Sequence, residues 1–551
     1  MIDMRRALIG TLSLALLTAT CTGDRQPEGD STAVTPGYGG TVVVAYLAEA
    51  SSMNTFVSID EFSQELQSYA LFTTLLKYDE ELNPIPYLAQ RWDTAAAGDG
   101  LVLTFYLQDD VTWHDGTPTT AYDVKFTFDR IKDPGTAYPR AARFAAYDSA
   151  VVRDSFTVAL FLKRHSGFLE SWISVPPMPA HILGNVPAAD LRLHPFGTAN
   201  PVGNGPFRFV EHRPGEHWVF EANPGFPESL GGRPFLDRLV YRVITEPTTS
   251  LASLLNGEID VYISVEPSQV TQIEESSDTR LITYPTRSYT FINWNSRRPL
   301  FRDAVVRRAL TLAIDRQRIL ESVKNGLGTL ALGSVPPFHW AFHQTLQPLP
   351  YDPDSAQALL AAAGWIDSDG DGIREREGVR ASFELRTNPN TTREDILTLV
   401  QGDLAEVGVE VRPRVQEAQS LAMDITSAER RFDAFVLGWV TEFRLDDRSL
   451  FACSQIDGPY QWASYCNPRV DEILAQVTSL DDRSVTLPLW REYQEIIQQD
   501  QPYTFLYYDV RANGTRERVL NVRMDMRGSL TNVKDWYIES NETGIAPGGK
   551  E

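Results

Sequence analysis

The sequence lacks the short motifs of familiar catalytic sites. None of the patterns HExxH, GxSxG and CxxC occurs in its 551 residues, which argues against a zinc protease, an α/β-hydrolase or a thiol redox protein. His339 and His343 are four residues apart in HWAFH, but the prolines before them predict a loop rather than the helix that a zinc pair needs. The sequence therefore favours binding over catalysis.

Basic residues are scarce relative to acidic ones. Fifty Lys and Arg stand against 73 Asp and Glu, so the formal net charge is −23 at pH 7. Such a charge repels phosphate backbones and anionic lipid headgroups at long range, which argues against nucleic acid as a partner. The length and the 42% of hydrophobic residues suffice for two or three globular domains.

The apolar stretch near the N-terminus is too short to span a bilayer. It runs from Ala7 to Leu17 after two arginines, whereas a transmembrane helix needs about 20 apolar residues. Basic residues, a short apolar stretch and then small residues predict an export signal over residues 1–21. The polar, Gly- and Pro-rich segment that follows predicts a flexible tether over residues 22–39.

Cys21, at the end of this signal, resembles the lipid-bearing cysteine of bacterial lipoproteins. Thr18 and Thr20 depart from that pattern, which prefers leucine three residues before the cysteine and glycine or alanine immediately before it. Acylation of Cys21 would tether the exported chain to a membrane. The alternative is cleavage by a conventional signal peptidase, in which case the cysteine is incidental.

The two remaining cysteines are Cys453 and Cys466. An exported chain folds in an oxidising compartment, so an even pair predicts one disulfide that closes a short loop. A metal site is the alternative, but neither a nearby histidine nor a CxxC pair supports it.

Strand-like and helix-like segments alternate after the tether. TVVVAYLAE predicts a strand, and FSQELQSYALFTTLL predicts an amphipathic helix. In LTFYLQDDVTWHDGTPTTAYDV, Asp115-Gly116 predicts a turn, and Thr120 to Asp123 predict a helix start. His114 is therefore predicted to lie at a structural turn and not in a catalytic site.

A later segment, VRRALTLAIDRQRIL, predicts one helix that covers a sheet. Val306, Leu310, Ala313 and Ile314 recur at helical spacing, and the basic residues are expected on the opposite face.

Several of these blocks resemble the signature of the family 5 extracellular solute-binding proteins, the periplasmic components of peptide-type ABC importers. The resemblance begins with LLKYDEELNPIPYLAQRWD and LTFYLQDDVTWHDGTPTTAYDVKFTFDRIKDP. It continues with NPVGNGPFRFVEHRPGEHWVFEANPGF, LLNGEIDVY and FDAFVLGWV, and it covers nearly the whole chain after the tether.

The resemblance implies an α/β fold of the two-lobed periplasmic-binding-protein type (type II, three-domain oligopeptide-binding type), with a ligand cleft between the lobes. The implied organisation is a signal in 1–21, a tether in 22–39, lobe I in 40–75, 198–285 and 505–540, scaffold domain II in 76–197, lobe III in 286–504 and a disordered tail in 541–551.

The resemblance also implies ligand-binding residues. The family has an aspartate three residues after the tryptophan of a Gly-Trp dipeptide, and it pairs with the α-ammonium of bound peptides. The matching residue here is Glu442, one methylene longer, with the surface alternative of a salt bridge to Arg444. Trp439, Tyr289 and Asn295 match positions that reach the cleft, and each could instead be a core residue. Asp446 and Asp447 are lesser candidates.

DSDGDGIRERE resembles the start of a calcium loop. Asp367, Asp369 and Asp371 alternate, and Gly372 allows a sharp turn. Gly378 stands where an EF-hand has its bidentate glutamate, and Glu377 could substitute for it. A structural calcium ion and a metal-free acidic turn are both open at this point.

The function implied is an extracytoplasmic receptor, monomeric and lipid-tethered, that closes around an oligopeptide and delivers it to ABC permease subunits. A separate ATPase would supply energy, because GIAPGGKE lacks the Ser or Thr and the helix of a phosphate loop. The alternatives are the same fold with an oligosaccharide, opine or metal chelate as cargo, a sensory co-receptor, or a hydrolase. No cofactor is expected apart from the candidate calcium.

Overall fold

The computed structural model describes residues 36–58, 60–163, 175–480 and 482–539. The export signal, Cys21, most of the tether and the tail lie outside these residues, so their predictions are untested. Among the described helices, none combines the length and apolarity needed to cross a membrane.

The described strands are, in chain order, β1 (Thr41–Tyr46), β2 (Leu76–Tyr78), β3 (Pro84–Pro86), β4 (Ala89–Ala97), β5 (Gly100–Leu107), β6 (Tyr147–Asp154), β7 (Thr157–Leu162), β8 (Phe207–Arg213), β9 (His217–Ala222), β10 (Arg238–Val243), β11 (Val261–Tyr262), β12 (Thr279–Trp294), β13 (Gly328–Leu330), β14 (Glu375–Arg376), β15 (Val379–Arg380), β16 (Ser382–Thr387), β17 (Glu410–Val415), β18 (Ala434–Val440), β19 (Tyr503–Arg516), β20 (Val519–Leu520) and β21 (Tyr537–Ile538).

The described α-helices are α1 (Glu61–Glu65), α2 (Ala121–Lys132), α3 (Ala180–Leu183), α4 (Pro247–Asn256), α5 (Val270–Glu274), α6 (Ala304–Ala313), α7 (Arg316–Lys324), α8 (Pro353–Ala362), α9 (Thr391–Ala405), α10 (Ala418–Thr426), α11 (Arg448–Phe451), α12 (Pro468–Ser479) and α13 (Arg483–Asp500). A π-helical turn, Leu66–Leu71, continues α1, and short 3-10 turns connect other elements.

An eleven-stranded sheet forms the frame of the molecule. Its strand order is β17-β16-β18-β12-β19-β11-β1-β10-β9-β8, and β13 pairs with β19 off this path. The predicted strand TVVVAY is β1, which pairs in parallel with β10 and β11. Val42, Val44 and Tyr46 pack into one core cluster, and Ala45 packs into another. Side chains alternate between the faces of a strand, so β1 is apolar from Val42 to Ala45 because both faces are covered.

Two long strands cross from lobe I into lobe III. β12 and β19 pair antiparallel from Thr279 opposite Arg516 to Asn293 opposite Tyr503. Their register shifts between Pro285, opposite Val510, and Tyr289, opposite Tyr508. Such an irregularity bends a strand pair locally. The predicted domain boundary at 285/286 falls at this shift on β12, while the boundary at 504/505 falls several residues earlier on β19.

Domain II contains a four-stranded sheet of order β4-β5-β7-β6, against which α2 packs. The predicted helix start is confirmed, because Thr120 and Asp123 form a capping box before Ala121. His114 lies at the predicted turn: its backbone N–H donates to the Gly203 carbonyl at 2.7 Å, and its Nδ1 accepts from the Gly203 N–H at 3.2 Å. Burial lowers the pKa of His114 to about 4, so this neutral histidine joins two parts of the fold.

The single helix predicted for VRRALTLAIDRQRIL is wrong in two respects. The chain leaves the helix at Ile314, and α7 begins anew at Arg316 because the Asp315 side chain accepts from the Arg318 N–H at 2.9 Å and caps it. The basic residues are not all outside, because the Arg307 and Arg316 side chains are buried. Arg307 donates to the Asp500 carbonyl at 2.7 Å and satisfies the end of α13.

The predicted disulfide is present between Cys453 and Cys466. It joins the short turn after α11 to the start of α12, where Asn467 caps the helix. The Cys453 N–H also donates to the Asp471 carboxylate of α12 at 2.8 Å.

Candidate functional site

A cavity of about 960 Å³ lies where lobe I, domain II and lobe III meet. Its wall comes chiefly from within residues 61–69, 74–87, 140–143, 284–288, 440–444 and 511–535. The first of these stretches includes the first four residues of the π-helical turn Leu66–Leu71, a distortion that is frequent at functional sites. The stretches 284–288 and 511–535 include residues of β12 and β19 next to their register shift.

Glu442 faces this cavity from the loop that follows β18. The last residue of β18, Val440, pairs with Ser288 of β12. Thr441 then donates to the Arg287 carbonyl through its backbone N–H and its Oγ1, each at 2.9 Å. These bonds hold the strand end, so that the next residue projects into the cavity.

The Glu442 carboxylate is already engaged. Arg143 of domain II forms an ion pair and hydrogen bond with its Oε1. The side chains of Arg143 and Glu442 are 39% and 55% exposed, so water screens the pair. The pair nevertheless joins domain II to lobe III across the cavity.

Arg287 lies beside this interlobe ion pair. Its guanidinium is 4.5 Å from the centre of the Phe443 ring and donates a long hydrogen bond of 3.4 Å to the Thr441 carbonyl. Burial lowers the pKa of Arg287, while the nearby Glu442 carboxylate opposes that effect. The group stays charged at neutral pH because an arginine pKa lies far above it. Among the described residues, no carboxylate oxygen lies within 4.0 Å of its nitrogens.

The cavity wall is more basic than the chain as a whole. It contains nine basic and seven acidic residues: Lys77, Arg140, Arg143, Arg287, Arg444, Arg511, Arg523, Arg527 and Lys534 against Glu61, Glu65, Asp79, Glu80, Glu442, Asp525 and Asp535. Five of the acids are ion-paired with basic residues of the same wall. The excess of positive charge at this site contrasts with the net charge of −23 of the whole chain.

Glu65 is the most deeply buried acid of the wall. Its Oε1 accepts from the Ser529 N–H at 2.8 Å, and its Oε2 accepts from the Tyr46 hydroxyl at 3.1 Å. Burial raises the pKa of Glu65 to about 7. This carboxyl therefore changes charge near neutral pH and adds little negative charge below it.

Three other predicted contacts lie away from the cavity wall. Trp439 is partly buried and packs against Tyr460 and Trp462, with ring centres 5.7 and 5.5 Å apart. Tyr289 and Asn295 are buried in lobe III. The Asn295 amide donates to the Phe432 carbonyl at 2.7 Å, which is a structural bond.

The lesser candidates are also engaged elsewhere. Asp446 forms a salt bridge with Arg448 at 2.5 Å. Asp447 is buried and accepts from the Tyr493 hydroxyl at 2.6 Å. Neither residue lines the cavity.

The sequence did not single out Arg287, Arg143 or Arg140 among its many basic residues. Arg287 lies two positions before Tyr289, and regular alternation would put both on one face of a strand. The register shift between Pro285 and Tyr289 breaks that alternation. Tyr289 therefore enters the core while Arg287 reaches the cavity, a difference that no local sequence signal indicates.

In the acidic loop, Glu375 and not the predicted Asp371 lies close to Asp367 and Asp369. Asp371 pairs with Arg380 at 2.6 Å, whereas Glu375 lies with Asp367 and Asp369, each with a carboxylate oxygen within 4.8 Å of the others. The charge on Arg380 draws the Asp371 side chain away from this group. Glu377 is strongly exposed, and calcium binding here stays a prediction.

His339 and His343 do not form a metal pair. His339 Nε2 is 3.0 Å from the Phe443 carbonyl of the cavity loop, and His343 Nε2 is 3.1 Å from a Glu495 oxygen. Burial lowers the pKa of His339 to about 4. A neutral His339 therefore holds the loop that carries Glu442 and Phe443.

The shared strands, the additional scaffold domain and the cavity among the three define a two-lobed solute-binding protein. The sequence matches the bacterial extracellular solute-binding proteins, family 5, over residues 83–457. The chain belongs to this family, as the sequence blocks predicted.

Two similar proteins, one of them matched both by its sequence and by its solved structure, bind different ligands. The oligopeptide-binding protein AppA of Bacillus subtilis (strain 168) is 31% identical over 532 residues, which cover 95% of this chain and 97% of AppA. The structure of Bacillus subtilis AppA in complex with a nonapeptide has a TM-score of 0.73 at 31% identity, covering 92% of this chain and 100% of that chain. NikZ from Campylobacter jejuni in complex with Ni(L-His) has a TM-score of 0.71 at 25% identity, covering 90% and 99%.

Proposed function

We propose that this chain is the extracytoplasmic binding component of an ABC importer and that its cargo is an oligopeptide held in the cavity. The observation that carries the proposal is a large cavity with many charged side chains, walled by both lobes and domain II. Its volume of about 960 Å³ lies at the upper end of the roughly 300–1,000 Å³ of small-molecule pockets. The similarity to AppA, an oligopeptide-binding protein, supports this cargo.

In this proposal, the chain works by binding and not by catalysis. Peptide enters while the lobes are apart, and its affinity for the closed arrangement shifts the equilibrium towards closure. Glu442 is the proposed contact for the α-ammonium, which would replace Arg143 on the carboxylate. Because the pair is partly exposed and screened by water, breaking it costs less than about 1 kcal/mol. A permease with its own ATPase would then receive the peptide.

The chain is proposed to work in the periplasm or at the cell surface, tethered to the membrane through acylated Cys21. The family description, extracellular solute-binding proteins, supports the compartment. The intact mass of protein extracted from membranes tests the tether, because a mass without lipid would contradict it.

The experiment that tests the cargo is a thermal-shift titration of the purified protein with pools of peptides two to nine residues long. A peptide at about 100 times its dissociation constant should stabilise the fold by roughly 2.7 kcal/mol. Glu442→Ala should lose most of this shift if the carboxylate binds the ammonium. Absence of any shift with every pool would contradict peptide binding.

A second cargo class is supported by the similarity to NikZ with Ni(L-His). The same titration with nickel and L-histidine separates the two, because a chelate carrier would be stabilised by Ni(L-His) and not by the peptide pools.

A further inference from the structure

The end of the cavity around Glu442 carries more positive than negative charge. Arg140, Arg143 and Arg287 all line the wall there; Glu442 forms an ion pair with Arg143, and the Glu442 and Glu61 carboxylates both stabilise the charge on Arg287 without contacting it. Burial lowers the pKa of Arg140 and the charge on Arg143 lowers it further, while the Glu442 carboxylate opposes this effect. Bringing a further cation to this end is therefore unfavourable unless negative charge arrives with it.

An ammonium group alone adds positive charge to this end of the cavity and brings no negative charge with it. If it binds Glu442 as proposed above, it takes the place of Arg143, whose guanidinium then loses its carboxylate. Within the part of the chain that the structure describes, the Arg287 guanidinium contacts a ring face and a carbonyl at 3.4 Å, and no carboxylate oxygen lies within 4.0 Å of its nitrogens. A ligand with an ammonium and no nearby anion would leave Arg143 without its ion pair and Arg287 without a carboxylate in contact.

A carboxylate on the ligand would supply negative charge beside the guanidiniums of Arg143 and Arg287. A guanidinium presents a planar fork of N–H donors that matches the two oxygens of a carboxylate. The backbone on either side of Arg287 is fixed by the strand pairing of Ser288 with Val440 and by the bonds from Thr441. The Phe443 ring under the guanidinium limits its motion further.

We propose that the cavity binds a carboxylate of its ligand at Arg287, next to Glu442, so that the preferred peptides carry an anionic group near their α-ammonium. This inference rests on the proposed function and names the substrate class of the same site. The carboxylate could belong to an Asp or Glu side chain near the N-terminus or to the C-terminus of a short peptide. The shared chemistry is the pairing of a carboxylate with Arg287.

The test measures dissociation constants of the full chain for matched sets of nonapeptides built from Gly, Ser and Ala. One amidated set carries Asp at position 1, 2 or 3, a second carries Asn there, and a third carries Asp at position 7, 8 or 9. Tripeptides with a free C-terminus are compared with the same tripeptides amidated at the C-terminus. This comparison tests whether the C-terminal carboxylate binds the site. We expect the first set, or the free tripeptides, to bind about ten- to a hundredfold more tightly than their neutral partners.

Arg287→Gln should abolish this preference, measured as the ratio of the dissociation constants for the acidic and neutral peptides. Arg213→Gln is the matched control, because it removes the same charge from an exposed residue of the β8–β9 hairpin outside the cavity wall. Arg287→Lys should keep part of the preference, which separates a loss of charge from a loss of folding.

Equal binding of acidic and neutral peptides to the wild-type protein would overturn the inference while leaving peptide transport intact. Retention of the full preference in Arg287→Gln would also overturn it. If no peptide of any set binds, the proposed function fails, and the inference falls with it.

Discussion

Single residues at the cavity differ in how their charge responds to pH. Glu65 is 5% exposed and held by Tyr46 and Ser529. Its pKa of about 7 in the folded chain lies above the ordinary value of 4.5. The group therefore contributes stability that is fully present below pH 4.5 and is lost as the pH rises through 7.

We predict that Glu65→Gln will remove this dependence. Gln stays neutral at every pH. The free energy of unfolding of the variant, relative to that of the wild type, should therefore increase by on the order of 2 kcal/mol between pH 5 and pH 8. Denaturant unfolding at both pH values measures the gain. A difference between variant and wild type that stays constant with pH would show that Glu65 ionises normally.

Among the single residues of the cavity, the sequence predicts some and gives no signal for others. Glu442 could be aligned with a family position, and it does face the cavity. Arg287 and Arg143 could not be selected, because their positions depend on contacts between chain segments more than 100 residues apart. Arg307 shows the same limit, since its buried guanidinium is stabilised by hydrogen bonds to carbonyls at the end of α13, far away in the sequence.

Among the elements, those defined by local patterns were predicted well. Alternation in LTFYL, the Asp115-Gly116 turn and the Thr120 cap specify β5, the turn and α2 from neighbouring residues alone. The break between α6 and α7 was missed because the apolar spacing continues through Ile314. Asp315 was the available signal, since aspartate is a favoured N-cap.

The disulfide acts on a single loop between α11 and α12. Cys453 and Cys466 are 13 positions apart, and cross-linking a loop of this length stabilises a fold by about 3 kcal/mol in the chain-entropy model. We predict that the double variant Cys453→Ser, Cys466→Ser will unfold at a lower temperature in a thermal scan. Reductant should lower the unfolding temperature of the wild type and leave the double variant unchanged, whereas equal unfolding temperatures for the two proteins would argue against this role.

The whole molecule should change shape when the cavity fills. β12 and β19 are the long strands that join the lobes, and their register is irregular where they pass from one lobe to the other. The Arg143–Glu442 pair, being partly exposed, contributes less than about 1 kcal/mol to holding the lobes together without ligand. Ligand contacts can therefore decide how often the lobes close.

We predict that a saturating peptide will reduce the radius of gyration measured by small-angle X-ray scattering. The matched control is Glu442→Ala at the same peptide concentration, which should show a smaller reduction if its affinity is lower. An unchanged radius for the wild type at saturation would contradict closure as the mechanism.

The central position of β19 also constrains how the protein matures. This strand begins at Tyr503, yet it lies between β12 and β11 and so completes the frame of both lobes. Contacts over such long sequence separations form slowly. The two halves of the sheet, β17-β16-β18-β12 and β11-β1-β10-β9-β8, therefore stay unjoined in a nascent chain until residue 516 has been synthesised.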